Sequence, residues 1–236
     1  MSKRFFVSVV LVLSLVASVH AADYVVIPTG LQDGAIYGNL AGYNAVEVTI
    51  TQSWYGVYNG TQLATVVILT LPEGVTSDMI ASATLEVPQM DYVWPYHQHD
   101  EGYPYGFDYY LNHIDATNDN IVRLSDMDPE RDLGVIGVFR SAGPAVVDYS
   151  RMMTYDVTDL VKDDLDNERA SFAFKTVTII PEGFPTNSAD SFAYPTVENT
   201  EWTNRDTTLS ITYTPEPATI ALLLFGGLGI LRRKKV

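Results

Sequence analysis

The chain has 236 residues, with 14 Lys and Arg against 29 Asp and Glu, a formal net charge of −15 and no cysteine. So acidic a balance excludes a phosphate backbone as partner, because nucleic acids are held by clustered Lys and Arg. The missing cysteines exclude thiol catalysis, cysteine metal sites and disulfide staples, and leave the hydrophobic core to carry the stability.

The N-terminus carries Lys3 and Arg4, an apolar run from Phe5 to Val16, and then Val19-His20-Ala21. A basic start, a short apolar middle and small residues just before a cut are what a signal peptidase reads. Residues 1–21 are therefore expected to be a signal peptide, helical in its apolar part and cleaved after Ala21.

Beyond it the dominant signal has period two. Val46, Val48 and Ile50 alternate with Glu47, Thr49 and Thr51, which puts one face of a strand inward and one outward. Leu209, Ile211 and Tyr213 alternate with Thr208, Ser210 and Thr212 in the same way. Further strands are expected at Tyr24–Ile27, Leu63–Leu71, Ala83–Val87, Phe107–Leu111, Asn120–Leu124, Leu133–Phe139, Val146–Tyr155 and Ser171–Ile179, separated by clusters of Gly, Pro, Asn and Asp. Short strands with this punctuation predict an all-β fold, a single antiparallel, jelly-roll-like β-sandwich over residues 22–214.

Residues 91–110, DYVWPYHQHDEGYPYGFDYY, interrupt the strands with Trp94, Phe107 and six tyrosines among Pro95, Pro104, Gly102 and Gly106. Rings with polar tips suit a wet recognition surface, where the ring lies on the apolar face of a sugar and the tip bonds outward. Trp94, Tyr96, Tyr103 and Tyr105 are the candidate glycan-binding residues; the alternative is that these rings pack over one end of the sandwich. His97 and His99 form an H-x-H pair beside Asp100 and Glu101, and would need a third ligand such as His113 or Glu101 to hold a metal.

The stretch SDMDPERD places Asp126, Asp128, Glu130 and Asp132 at every second position, close to Asp115, Asn118 and Asp119. Alternating oxygen ligands along a loop suit Ca²⁺, which makes these four the candidate metal ligands, with a solvated acidic turn as the alternative. The spacing is not that of an EF-hand, because the sixth position from Asp126 is Arg131 and the twelfth is Gly137.

DVTDLVKDDLDNE breaks the strand period. Leu160, Val161 and Leu165 recur at helical spacing after Thr158 or Asp159, either of which can cap a first turn, so one short helix is expected from about Thr158 to Leu165. Asp163, Asp164, Asp166 and Glu168 then crowd the C-terminal end, where anions oppose the helix dipole, and make either a cation site or a small cost in stability.

MIASATLEV, TYDVTDLVKDDL, ASFAFKT and TTLSITYT, taken in that order, resemble the strand sequence of DNRLRE-type carbohydrate-binding modules. That resemblance implies a bacterial β-sandwich attached to an extracellular protein, with Glu201 at the acidic position before the last strand. The chain departs from the family at Thr207, where a Pro is usual, and the motif that names the family is missing.

No G-x-S-x-G elbow, H-E-x-x-H or phosphate loop is present, and the many carboxylates do not by themselves make a glycosidase pair. A non-enzymatic protein without an obligatory cofactor is expected. The rival reading is a secreted glycoside hydrolase or polysaccharide lyase that uses Asp or Glu as acid and base.

The chain ends TPEPATIALLLFGGLGILRRKKV. Ala218 to Leu231 as a helix covers about 21 Å, short of a hydrocarbon core of roughly 30 Å, and Arg232 to Lys235 would stay on the cytoplasmic side. A transient hydrophobic helix in the inner membrane is expected. Pro215-Glu216-Pro217, the hydrophobic segment and the basic end with Arg232 and Arg233 resemble the PEP-CTERM sorting signal of Gram-negative bacteria, which sets domain limits of 1–21, 22–214 and 215–236. The resemblance implies that an exosortase recognises Pro-Glu-Pro, removes the tail and passes the protein to the cell surface or extracellular matrix. The partners expected are thus signal peptidase and exosortase during export and an extracellular polysaccharide afterwards. Six of the 14 cations and one of the 29 acids lie in the two ends, so the span between keeps 8 cations against 28 anions, a net charge of about −20.

Overall fold

A computed structural model describes residues 23–26, 32–39, 42–48, 52–58, 61–89, 108–116, 120–140, 151–179, 189–195 and 207–214. Its strands are β1 (Asp23–Val26), β2 (Asp33–Asn39), β3 (Gly42–Val48), β4 (Gln52–Tyr58), β5 (Thr61–Thr70), β6 (Ile80–Gln89), β7 (Asp108–Ile114), β8 (Asp132–Arg140), β9 (Arg151–Asp156), β10 (Ser171–Thr178), β11 (Ala189–Pro195) and β12 (Thr208–Tyr213). A single α-helix among the described residues, α1 (Thr158–Asp166), lies between β9 and β10. No helix of the described residues is long and apolar enough to cross a membrane. Ala21 and the expected signal peptide before it, with Pro215, Glu216, Pro217, Arg232 and Arg233 of the expected sorting signal, lie outside the described residues.

The strands make two antiparallel sheets. The smaller runs β1-β12-β6-β9, and the larger runs β11-β4-β5-β10-β7-β8 with β2 and β3 added at β5. Val66 and Val67 of β5 pair with β2 and also with β10, so these two strands lie on opposite edges of β5. Leu63 pairs with both β2 and β4, which puts β4 on the same edge as β10, beyond its end.

Alternation along the strands builds the main core between the sheets. Leu85, Leu209 and Ile211 of the small sheet meet Leu69, Leu111, Phe172 and Phe174 of the large one, all without solvent exposure. The expected pattern of β12 holds, with Leu209 and Ile211 inside and Thr208, Ser210 and Thr212 half-exposed. Tyr109 stacks on Phe139 with ring centres 5.4 Å apart, and closes the core on the β7–β8 side. Gly137 permits this edge to close, because a Cβ there would overlap the Tyr155 ring of β9.

The large sheet is buried on its other face as well. Val66, Ile68, Ala173 and Ile114 turn away from the sandwich, flanked by Ile36 of the neighbouring β2 and packed with Val122 and Met127 of the segment after β7. Strands covered on both sides lose the polar half of their alternation, which is why 171–178 and 64–69 are almost continuously buried.

Two expectations are corrected. Residues 120–124 are not a strand: Asn120 adopts a left-handed backbone with φ 54°, and a 3-10 turn starts at Leu124. Asn tolerates that region better than most side chains, so it turns the chain just before the run that Ile121, Val122 and Leu124 suggest, and the 3-10 turn closes that run after three residues. The helix forms where expected, but neither Thr158 nor Asp159 caps it. Asp156 Oδ1 accepts from the Thr158 amide at 3.0 Å and from its hydroxyl at 2.6 Å, and the Thr158 hydroxyl accepts from the Ala83 amide at 2.9 Å. The pair joins the start of α1 to β6.

Candidate functional site

Of the twenty residues in the aromatic stretch, only Asp108, Tyr109 and Tyr110 are described, so Trp94, Tyr96, Tyr103 and Tyr105, with His97 and His99, lie outside the described residues. Tyr109 is a core ring and Tyr110 is half-buried. They open β7 at a corner where the outer face of the large sheet is left apolar. Val138 pairs with Tyr110, and Ile179 follows β10 with 71% of its surface exposed.

The acidic segment after β7 crosses the other half of that outer face, and its four candidate ligands have separate tasks. Asp126 has no exposure, and its Oδ2 accepts from the Arg123 amide at 2.7 Å, fixing the 3-10 turn at 124–127. Asp128 caps the next turn, taking the Glu130 amide on Oδ1 at 3.1 Å. Glu130 is exposed. Asp132, at the start of β8, meets Lys175 Nζ at 2.5 Å through Oδ1 and the Asn112 side-chain amide at 3.1 Å through Oδ2.

Lys175 is the cation around which this segment is arranged. It sits mid-strand in β10 with its side chain almost wholly buried, and Nζ also donates to the carbonyls of Met127 at 3.2 Å and Asp128 at 3.4 Å. An ammonium has three N–H donors and finds three oxygens here. A charge so deeply placed is tolerable only when paired and hydrogen-bonded in this way. Among the described residues, no group of three or more His, Asp or Glu side chains is placed to hold a metal ion.

A second polar cluster joins α1 to the large sheet. His113 lies on the inner side of β7, stacked on Phe172 with ring centres 5.0 Å apart, and its Nε2 is 3.0 Å from Asp164 Oδ2. Both side chains have 1% exposure or less. Asp164 Oδ1 takes a hydrogen bond from Arg169 at 3.0 Å, and the same guanidinium donates to Asp163 at 2.8 Å and lies 3.7 Å from Asp115. Hydrogen bonding from Arg169 holds the Asp163 carboxyl below its ordinary value of 3.8 despite some desolvation. Arg169 is thus a cation set against the acids in the last turn of α1, while Asp166 accepts from the Ser77 hydroxyl at 2.5 Å.

His113, offered by the sequence as a third metal ligand, has one nitrogen on Asp164 and the other, Nδ1, buried without a partner. Its chemistry here is that of a clasp between β7 and α1. The signal for this cluster was present in the sequence: His113 continues the inward positions of Tyr109 and Leu111, and Asp164 shares the buried face of α1 with Val161.

At the far margin of the small sheet the first and last strands meet. Asp23, Tyr24, Val25 and Val26 pair with Thr212, Ile211, Ser210 and Leu209. Thr214, the residue before Pro215, is held by its amide to the Met79 carbonyl at 2.8 Å. A scan against protein-family models finds no match for this chain, and a search of curated proteins finds none either.

Proposed function

We propose that this chain is an exported, non-enzymatic β-sandwich, freed of a PEP-CTERM tail by an exosortase and displayed at the cell surface or in the extracellular matrix, where it binds polysaccharide. The observation that carries the reading is the pairing of β1 with β12. It sets Asp23, two residues past Ala21, beside Thr212, three residues before Pro215. The pairing thus brings together the two ends of the described fold, next to the positions at which the signal peptidase and the exosortase of this reading cut. Polysaccharide is favoured as ligand by the aromatic stretch that leads into Asp108 and by the apolar corner at Tyr110 and Val138. With few cations in the span, affinity for a glycan rests on stacking and hydrogen bonds.

Replacing Pro215-Glu216-Pro217 with alanines tests the sorting. Export continues and an uncleaved precursor accumulates in the inner membrane; surface material that still ends in Val236 overturns the reading. A retention assay on acidic and neutral polysaccharides, with and without Ca²⁺, tests the ligand. Trp94→Ala and Tyr105→Ala weaken retention and leave the melting temperature unchanged, whereas a lower melting temperature with intact retention assigns the rings to packing.

A further inference from the structure

We propose that β1 is an exchangeable strand, which leaves its own sheet and pairs with β12 of a second copy of this chain. β1 is the edge strand of the small sheet, four residues long, and its only partner among the described strands is β12. Of its described side chains only Val26 is buried, in the main core; Val25 is 56% exposed, and Tyr24 is 46% exposed although alternation turns it inward. Among the described side chains of β1, the main core therefore holds one apolar anchor, beside a backbone pairing of four residues.

The seat it occupies does not depend on it. β12 is paired along its other edge with β6 over Thr208–Tyr213, and Leu209 and Ile211 are locked in the core from that side. If β1 departs, β12 keeps its shape and presents an unpaired edge, which a strand from another molecule can complete. The β1 of a second copy brings the same side chains and the same backbone bonds in the same register. Exchange keeps the described pairing of β1 with β12, and its balance is set by concentration. Reciprocal exchange gives a two-fold pair in which each copy completes the other. Between copies that carry about −20 each, it is favoured by salt, which screens their repulsion. For a protein displayed densely on a surface it supplies cohesion between copies.

The absence of cysteine makes the test clean. Val25 and Ser210 stand opposite each other in the register, and exchange brings Val25 of one copy opposite Ser210 of another. The full chain is coexpressed as two differently tagged forms, one with Val25→Cys and one with Ser210→Cys. A Glu73→Cys form, at an exposed turn, replaces the Ser210→Cys form to measure chance collision. Exchange predicts a disulfide-linked product carrying both tags about tenfold more abundant than with Glu73→Cys, rising with salt and lost when Val26→Asp removes the anchor. A single chain with both Val25→Cys and Ser210→Cys shows that the register can be cross-linked. If that chain closes only on itself and the mixed product does not exceed the Glu73→Cys level, the proposal is overturned.

Discussion

Strands β10 and β1 are both antiparallel partners in the same sandwich, yet they are held in opposite ways. β10 has neighbours on both edges and layers on both faces: Phe172 and Phe174 point into the main core, Ala173 and Lys175 into the second. β1 has one neighbour and one buried side chain among those described. The difference follows from sequence composition. A strand that reads FAFKTVT is apolar or paired on both sides, whereas DYVV at a sheet margin turns half its surface to water. Burial is concentrated at the centre and thins out at the margin.

The largest losses of stability are expected at the centre. Phe172→Ala removes a fully buried ring that carries the His113 stack and should lower stability by about 3–5 kcal/mol, read as the denaturation midpoint. Asp164→Ala takes a fully buried hydrogen-bond partner from His113 and one of three acidic partners from Arg169, and a loss of roughly 1–3 kcal/mol is expected in the same assay. Lys175→Met keeps most of the volume but leaves two carbonyls and Asp132 without their donor, for about 1–3 kcal/mol. At the margin, Val26→Ala should cost no more than about 1 kcal/mol, because it thins a strand that contributes little to the global fold.

Smaller effects sharpen the picture around α1. Asp163 is held below its ordinary value by Arg169, and Asp156 by the Thr158 hydroxyl and amide. Depressed carboxyls contribute stability that is fully present above the unfolded value near 3.8 and is lost as pH falls through the lower folded values. Thermal midpoints should therefore fall below about pH 4. Arg169→Gln should flatten the Asp163 share of that fall and leave the Asp156 share intact. Glu168 closes the helix in a left-handed conformation, φ 58°, which glycine adopts without strain, so Glu168→Gly should raise stability by about 0.5–1 kcal/mol.

Much of the fold was legible because period two survives wherever one face meets water. β12, β8 and β7 are found close to where alternation places them, and α1 where the spacing of Leu160, Val161 and Leu165 requires it. Three strands escaped. In DGAIYGN and QSWYGVY glycine interrupts the alternation, and ADSFAYP is short, half polar and ends in proline. The acidic loop was legible as candidate calcium ligands or a solvated turn, and its contact with Lys175 was not. Lys175 lies more than forty residues away in sequence and arrives only when β10 pairs with β7. Likewise, the acids at the C-terminal end of α1 left open a cation site or a small cost in stability, and Arg169 meets them by a turn that spacing alone does not show.

Native-state hydrogen exchange across the two sheets measures the contrast between centre and margin directly. The amides of β5 and β10 should exchange only with global unfolding, at the rate set by the full stability, while those of β1 exchange orders of magnitude faster through local opening that leaves β12 paired to β6. Equal protection of Tyr24, Val25 and Val26 with Phe172, Ala173 and Phe174 would mean that β1 opens only with the whole molecule, and would contradict the account.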